Sequence, residues 1–164
     1  MTDRIQYSPF HARVMSADEA AAFIQPGETV AMSGFTGSGY PKVVPAALAR
    51  HIDAAHHRGE AFKVRVLTGA STAPELDGAL AKVDGMSLRL PFQTDPDARQ
   101  RINDGRMEYI DAHLSHVAQH TWFGFYGDID TAVVEVSAIR EDGLLVPSTS
   151  CLLYTSDAAD DSLR

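Results

Sequence analysis

The sequence predicts an α/β fold, an open and mostly parallel sheet with helices on both faces. Three observations predict it. Short apolar runs alternate with helix-patterned stretches from residue 29 to residue 147, the order that parallel strands joined by helical crossovers produce. Small and hydroxyl-bearing residues cluster directly after the first three runs, at 34–41, 68–74 and 91–96, where an open sheet gathers its ligands. A chain of 164 residues with 45% hydrophobic and 22% charged residues also buries an ordinary core without disulfide or metal staples.

Each element has a local reason. Residues 1–15 are mixed and read as an irregular lead-in. Ser16-Ala17-Asp18-Glu19 is a capping-box pattern, in which the Ser16 hydroxyl and the Glu19 carboxylate satisfy opposite unpaired amides. A helix is expected from there to about residue 24, stopped by Pro26-Gly27. Residues 29–33 read as a strand, and Gly34-Phe35-Thr36-Gly37-Ser38-Gly39-Tyr40-Pro41 follows. Pro41 suits a first helical turn, where its missing amide costs nothing. Val44, Leu48, Ile52 and Ala55 then recur as one apolar stripe, ended by Arg58-Gly59.

The second strand is expected at 64–67, running into Thr68-Gly69-Ala70-Ser71. A helix over 74–82 and a strand over 86–90 come next. Thr94-Asp95-Pro96-Asp97 opens another helix, with acids at the positive end of its dipole, and Gly105 closes it after Asn103. Extended residues at 108–110, a helix over 115–123 and a strand over 131–136 complete the alternation. Glu141-Asp142-Gly143 then turns the chain into Leu144-Leu145-Val146-Pro147.

Charge and composition exclude several classes. Fourteen basic against twenty-two acidic residues leave a net charge of −8, so no general attraction to nucleic acid or to an anionic membrane is expected. No apolar run approaches the roughly 18 residues of a membrane span, and the first 14 residues contain no signal-type hydrophobic segment. The cytoplasm is the expected location. Cys151 is the one cysteine; it supports neither a disulfide framework nor a thiolate metal cluster, and no histidine stands beside it to activate it.

The glycine loop admits more than one reading. A strand–loop–helix unit can present bare amides to an anion, and three glycines within six residues let a ligand approach. A ligand-free turn that packs helix on strand fits the same residues. A Walker loop does not fit, because Gly39 is followed by Tyr40 and Pro41 instead of Lys and Ser/Thr. A dinucleotide fingerprint fails too: the spacing is Gly34-x-x-Gly37-x-Gly39, and the second strand ends in Leu67-Thr68-Gly69 without a ribose-binding acid.

The run Met32-Ser-Gly-Phe-Thr-Gly-Ser-Gly-Tyr-Pro-Lys-Val-Val-Pro45 resembles the amino-terminal glycine motif of the acetyl-CoA hydrolase/transferase family. These are class I CoA-transferases, succinyl-CoA:acetate CoA-transferases among them. Three further stretches match in order: Leu67-Thr-Gly-Ala-Ser-Thr-Ala-Pro-Glu-Leu-Asp-Gly78, Leu90-Pro-Phe-Gln-Thr-Asp95, and Ala138-Ile-Arg-Glu-Asp-Gly143 running on to Ser150. The likeness covers nearly all of residues 1–150, read as a truncated CoA-transferase amino-terminal domain. From Cys151 the likeness stops, and residues 151–164 resemble a translated adaptor or vector junction, a non-native tail.

The resemblance implies an enzyme that moves CoA between an acyl-CoA and a small carboxylate, or hydrolyses acetyl-CoA. Coenzyme A is a substrate in that chemistry; no cofactor and no metal are implied. The family's nucleophile is a glutamate in the second half of a longer protein. No position here matches it, so no catalytic residue is assigned and the fragment alone is expected to be inactive. Glu75 reads as a helix start, Glu135 as a strand residue, and Glu108 has no motif around it.

By the same resemblance, the loops around Ser71 and Thr94 line the carboxylate pocket, where hydroxyls donate well to anionic oxygens. Both residues stand near proline-led helices, so helix capping is the competing reading. Gly34, Phe35, Thr36, Gly37, Ser38 and Gly39 are implied to form one wall of the active-site cleft. Family members are commonly dimers, which makes a homodimer the expectation for the full-length protein. A reading of a different class keeps only the loop: a non-catalytic anion- or nucleotide-binding module.

Two other constellations invite chemistry. His113, His116 and His120 fall at i, i+3 and i+7, a spacing that could hold a metal, although a partly exposed polar face is the commoner cause. Trp122, Phe123, Phe125 and Tyr126 surround Gly124 and are expected in core or interface packing; an acidic chain does not suit base stacking.

Overall fold

The capping box forms as the sequence suggests. The Ser16 hydroxyl accepts from the Glu19 amide at 3.2 Å, and the Glu19 carboxylate takes the Ser16 amide at 2.8 Å, opening α1 (Ala17–Ala21). Ser16→Ala is expected to cost about 1 kcal/mol, read from urea unfolding of the chain. A loss below roughly 0.3 kcal/mol would show that the cap does not hold the helix.

The computed structural model describes residues 2–70 and 72–149. Ser71 and residues 150–164, Cys151 and the expected non-native tail included, lie outside the described residues. Strands β1 (Thr29–Met32), β2 (Val64–Thr68), β3 (Met86–Leu90), β4 (Glu108–Tyr109) and β5 (Thr131–Val133) form one sheet in the order β4-β3-β2-β1-β5. Every neighbouring pair is parallel. Helices α2 (Val43–His57), α3 (Ala79–Lys82), α4 (Pro96–Asn103) and α5 (Leu114–Trp122) join them, with a π-helical turn, Pro74–Gly78, leading into α3.

Strand alternation divides the core between two faces. Val30 and Met32 pack with Leu48, Ile52, Leu80 and Ala98, so α2, α3 and α4 cover one face. Ala31 packs with Leu67, Leu90, Val117 and Tyr126, which places α5 on the other. The predicted open parallel sheet with helices on both faces is what forms. No helix among the described residues is long and apolar enough to cross a membrane.

Local departures have physical causes. Pro41 does not occupy the first turn of α2; the helix begins at Val43 after the cap residue Lys42, and Pro45 takes the first-turn place instead. A proline is tolerated there because the amide it lacks has no partner within the helix. The expected strand over 131–136 is two strands. β5 ends at Val133, and β6 (Val136–Ile139) pairs antiparallel with β7 (Leu145–Pro147) in a separate two-stranded sheet. Glu135 therefore lies between strands and not within one. The lead-in contains two 3₁₀ turns, Thr2–Arg4 and Ser8–Arg13, and the Gln6 amide donates to the Ile139 carbonyl at 2.8 Å.

Asp84 pins the start of β3 from a left-handed backbone (φ 56). Its carboxylate stands 3.1 Å from Lys63 and 2.7 Å from Arg106. Burial works against its ionisation, but hydrogen bonds from Lys63 and Arg106 win and hold it below the ordinary 3.8. Its contribution is therefore full above that value and lost as pH falls through the lower folded value. Asp84→Asn is expected to flatten the acid limb of the stability–pH curve below about pH 4, measured by urea unfolding across pH 7 to pH 2. An unchanged limb would contradict the assignment.

Candidate functional site

The strand order reverses at β1. The chain leaves β1 toward β2, β3 and β4, and returns to β1's other side only with β5. That reversal makes a topological switch point, the place where open α/β sheets bind ligands. The glycine loop leaves β1 there, and the loops after β2 and β3 leave the same carboxyl edge of the sheet.

The glycine loop is a tight, self-satisfied turn. The Phe35 amide donates to the Ser38 carbonyl at 3.0 Å, and the Ser38 amide donates back to Phe35 at 3.1 Å. Thr36 at the tip is left-handed (φ 52), with its hydroxyl on the Phe35 carbonyl at 2.7 Å. Two of the loop's amides are thus consumed within the loop. Phe35, Thr36, Gly37 and Ser38 form an exposed lip, while Gly34 and Gly39 are buried at its base. Gly34 has φ 144, and a Cβ there would sit 2.8 Å from the Tyr40 Cβ and 3.0 Å from the Thr72 Cγ2. Its bareness brings the β1 loop against the β2 loop.

Several side chains fasten this base. The Ser33 hydroxyl donates to the Gly39 carbonyl at 2.7 Å and accepts the Glu135 amide at 2.9 Å. Lys42 pairs with Glu135 at 3.0 Å and stands 4.4 Å above the Tyr40 ring. The Tyr40 hydroxyl donates to Glu75 at 3.1 Å. Burial raises the Tyr40 pKa, and the bond to Glu75 adds to it, so the phenol stays protonated. Glu75 and Glu135 thus hold the loop in place, whereas Glu108 is exposed at the start of β4.

Beneath the β2 and β3 loops lies a fully buried ion pair that sequence reasoning did not find. Arg89 and Asp77 are both 0% exposed, with Nε 2.7 Å from Oδ1 and Nη2 3.2 Å from Oδ2. The same guanidinium donates through Nη2 to the Thr68 hydroxyl at 2.8 Å and the Ala70 carbonyl at 3.2 Å, and through Nη1 to the Leu90 carbonyl. The Thr68 hydroxyl donates to the Ala70 carbonyl, and Asp77 accepts the Thr72 amide at 2.8 Å. One signal was present: Arg89 stands inside Met86-Ser-Leu-Arg-Leu90, a strand of a sheet expected to be covered by helices on both faces, and a buried guanidinium requires an acid.

The predicted site residues fare differently. Ser71 lies outside the described residues, but its sequence neighbours Ala70 and Thr72 are both held by the ion pair. Thr94 is exposed and stands just before Asp95, the N-cap of α4. Capping of α4 belongs to Asp95, whose carboxylate accepts the Asp97 and Ala98 amides at 2.9 and 3.0 Å. The cap position of the Pro74–Gly78 turn is Ala73. The N-cap positions of the two helical segments are thus Asp95 and Ala73. Gly78 allows Asp95 to approach, since a Cβ there would lie 3.0 Å from its Oδ2, so the 91–96 junction rests on the turn that follows the 68–74 junction.

The histidines form a column: His113 and His116 rings are 5.8 Å apart, His116 and His120 5.7 Å. His120 Nδ1 is 3.0 Å from the Tyr126 hydroxyl, and burial raises the pKa of that phenol. No group of three His, Cys, Asp or Glu among the described residues could hold a metal ion. Of the aromatic cluster, Tyr126 is buried, while Trp122, Phe123 and Phe125 are exposed. A depression of about 360 Å³ lined by Pro26, His51, Arg58 and Phe62 opens at the other end of the sheet, far from the three loops.

Comparison with known proteins agrees with this architecture. The profile of the acetyl-CoA hydrolase/transferase N-terminal domain matches residues 1–159. The chain is 44% identical over 146 residues to a succinyl-CoA:acetate CoA-transferase of Clostridium kluyveri, covering 89% of this chain and 27% of that protein. It is 46% identical over 129 residues to a propanoyl-CoA:succinate CoA transferase of Escherichia coli K12, covering 79% and 26%. It is 34% identical over 157 residues to an acetyl-CoA hydrolase of Kluyveromyces lactis, covering 92% and 30%. The chain thus spans little more than a quarter of the length of these relatives.

Among solved structures, RipA from Yersinia pestis superposes with a TM-score of 0.58 at 19% identity, over 80% of this chain and 30% of that one. An acyl-CoA transferase from E. coli O157:H7, in a thioester complex with CoA, superposes with a TM-score of 0.51 at 14% identity, over 67% and 22%. At such identities the likeness is one of fold.

Proposed function

Because the chain belongs to the acetyl-CoA hydrolase/transferase family, through that family's amino-terminal domain, we propose that it forms the carboxylate-binding side of an acyl-CoA transferase site. The full-length protein then moves CoA between an acyl-CoA and a small carboxylate such as acetate or succinate, or hydrolyses acetyl-CoA. The observation that carries this reading is the convergence of the 34–41, 68–74 and 91–96 junctions at the switch point, bound together by Gly34 against Thr72 and by the Arg89–Asp77 pair.

In this scheme the Thr94 hydroxyl, with that of Ser71, donates to the carboxylate oxygens, a charge-assisted contact. The exposed lip from Phe35 to Ser38 closes one side. A glutamate from the remainder of the full-length protein attacks the thioester carbonyl; the thiolate leaves, and an acyl-glutamyl anhydride forms. The CoA thiolate then attacks the glutamyl carbonyl and expels the donor's carboxylate, leaving a glutamyl-CoA thioester. The acceptor carboxylate reverses the sequence, or water releases CoA and completes hydrolysis. Such covalent catalysis gives ping-pong kinetics, and each addition needs donors fixed on the developing oxyanion. Glu75 and Glu135 are not assigned as nucleophiles, since Tyr40 and Lys42 already engage them.

The test is CoA exchange between acetyl-CoA and succinate by the full-length protein. Exchange with parallel double-reciprocal lines is expected. A folded full-length protein that neither exchanges CoA nor hydrolyses the thioester would refute the proposal.

A further inference from the structure

We infer that Arg89, through its buried pair with Asp77, is the positioning residue of the carboxylate-binding loops, an assignment that rests on the function proposed above. The inference comes from where its bonds go. A buried ion pair that served only stability would need one partner, and apolar residues of similar volume would serve as well. Arg89 instead directs its planar fork to the ends of two adjacent parallel strands: to the Thr68 hydroxyl at the end of β2 and the Ala70 carbonyl just after it, and to the Leu90 carbonyl at the end of β3. Asp77 adds the Thr72 amide from the opposite side.

The loop after β2 is thus clamped on both sides of position 71, and the loop after β3 is clamped four residues before Thr94. One guanidinium sets the spacing between the two loops. Lysine cannot replace it, because a single ammonium lacks the fixed, divergent donors that reach both strand ends at once. Neither Arg89 nor Asp77 is exposed, so neither touches substrate, and both act through the loops they hold.

The experiment uses the full-length protein with two variants, Arg89→Lys and Thr68→Val. The second is nearly isosteric and removes only the hydroxyl bridging Arg89 and Ala70, so it stays informative if the first does not fold. Steady-state kinetics with both substrates separate the acceptor carboxylate from the acyl-CoA. The expected result is an acceptor KM raised about tenfold or more in Arg89→Lys and by a smaller factor in Thr68→Val. The KM for acyl-CoA stays within about twofold in both. Folded variants with an unchanged acceptor KM would overturn the inference and leave the proposed function standing. So would equal falls in activity toward both substrates, the sign of a merely structural role. A parent protein without exchange or hydrolysis would overturn both.

Discussion

Asp77→Ala is expected to cost about 3–5 kcal/mol of folding stability, the largest effect of any single change considered for this domain. The substitution leaves the Arg89 guanidinium fully buried without its counter-charge and frees the Thr72 amide. Desolvation of that cation is then uncompensated, which is why breaking a buried pair costs more than the pair contributes. Removing both charges together, as in Asp77→Leu with Arg89→Met, should recover most of the loss. Urea unfolding of the single and double variants measures both. A single-variant loss below about 1 kcal/mol would mean that water reaches the site.

Gly34→Ala is the second large effect, expected at about 3 kcal/mol from left-handed strain and overpacking together. The φ of 144 is one that a side chain rarely adopts, and the new Cβ would meet the Tyr40 Cβ at 2.8 Å and Thr72 Cγ2 at 3.0 Å. Neither neighbour can retreat easily: Tyr40 is buried and bonded to Glu75, and Thr72 is tied to Asp77. The β1 loop would have to lift from the β2 loop. Thermal unfolding gives the cost, and hydrogen exchange at the Phe35 and Ser38 amides reports the lifting. Unchanged stability and exchange would show that the contact is dispensable.

How much of this could be read from the chain varies with the range of the interactions. The bounds of β3 and the end of α4 follow from patterns a few residues long: an apolar run in one case, Asp95-Pro96 and Gly105 in the other. The capping box is equally local. The break at Glu135 was hidden because Thr131 to Val136 stays apolar or extended in preference on both sides of it. Only the change of pairing partner, from β1 to β7, ends the strand.

The site shows the same division. Its three junctions were visible because glycines, prolines and hydroxyls mark strand ends. The Arg89–Asp77 pair was not, because it joins residues twelve positions apart through a fold that must exist first. The pairing inside the glycine loop was hidden for a related reason: glycine content says that amides can be bare, not that Phe35 and Ser38 bond to each other. What the glycines do is permit contact, with Gly34 against Thr72 as the clearest case.

In the proposed function, this domain carries the carboxylate side of the site. The most direct measurement is the acceptor KM of Thr94→Val in the full-length protein. Thr94 is exposed and the N-cap of α4 is Asp95; urea unfolding of the variant beside the parent separates a loss of fold from a loss of binding. The KM for the acceptor carboxylate is expected to rise about tenfold, the worth of one hydrogen bond to a charged group, with the KM for acyl-CoA unchanged. An unchanged acceptor KM in the folded variant would contradict it.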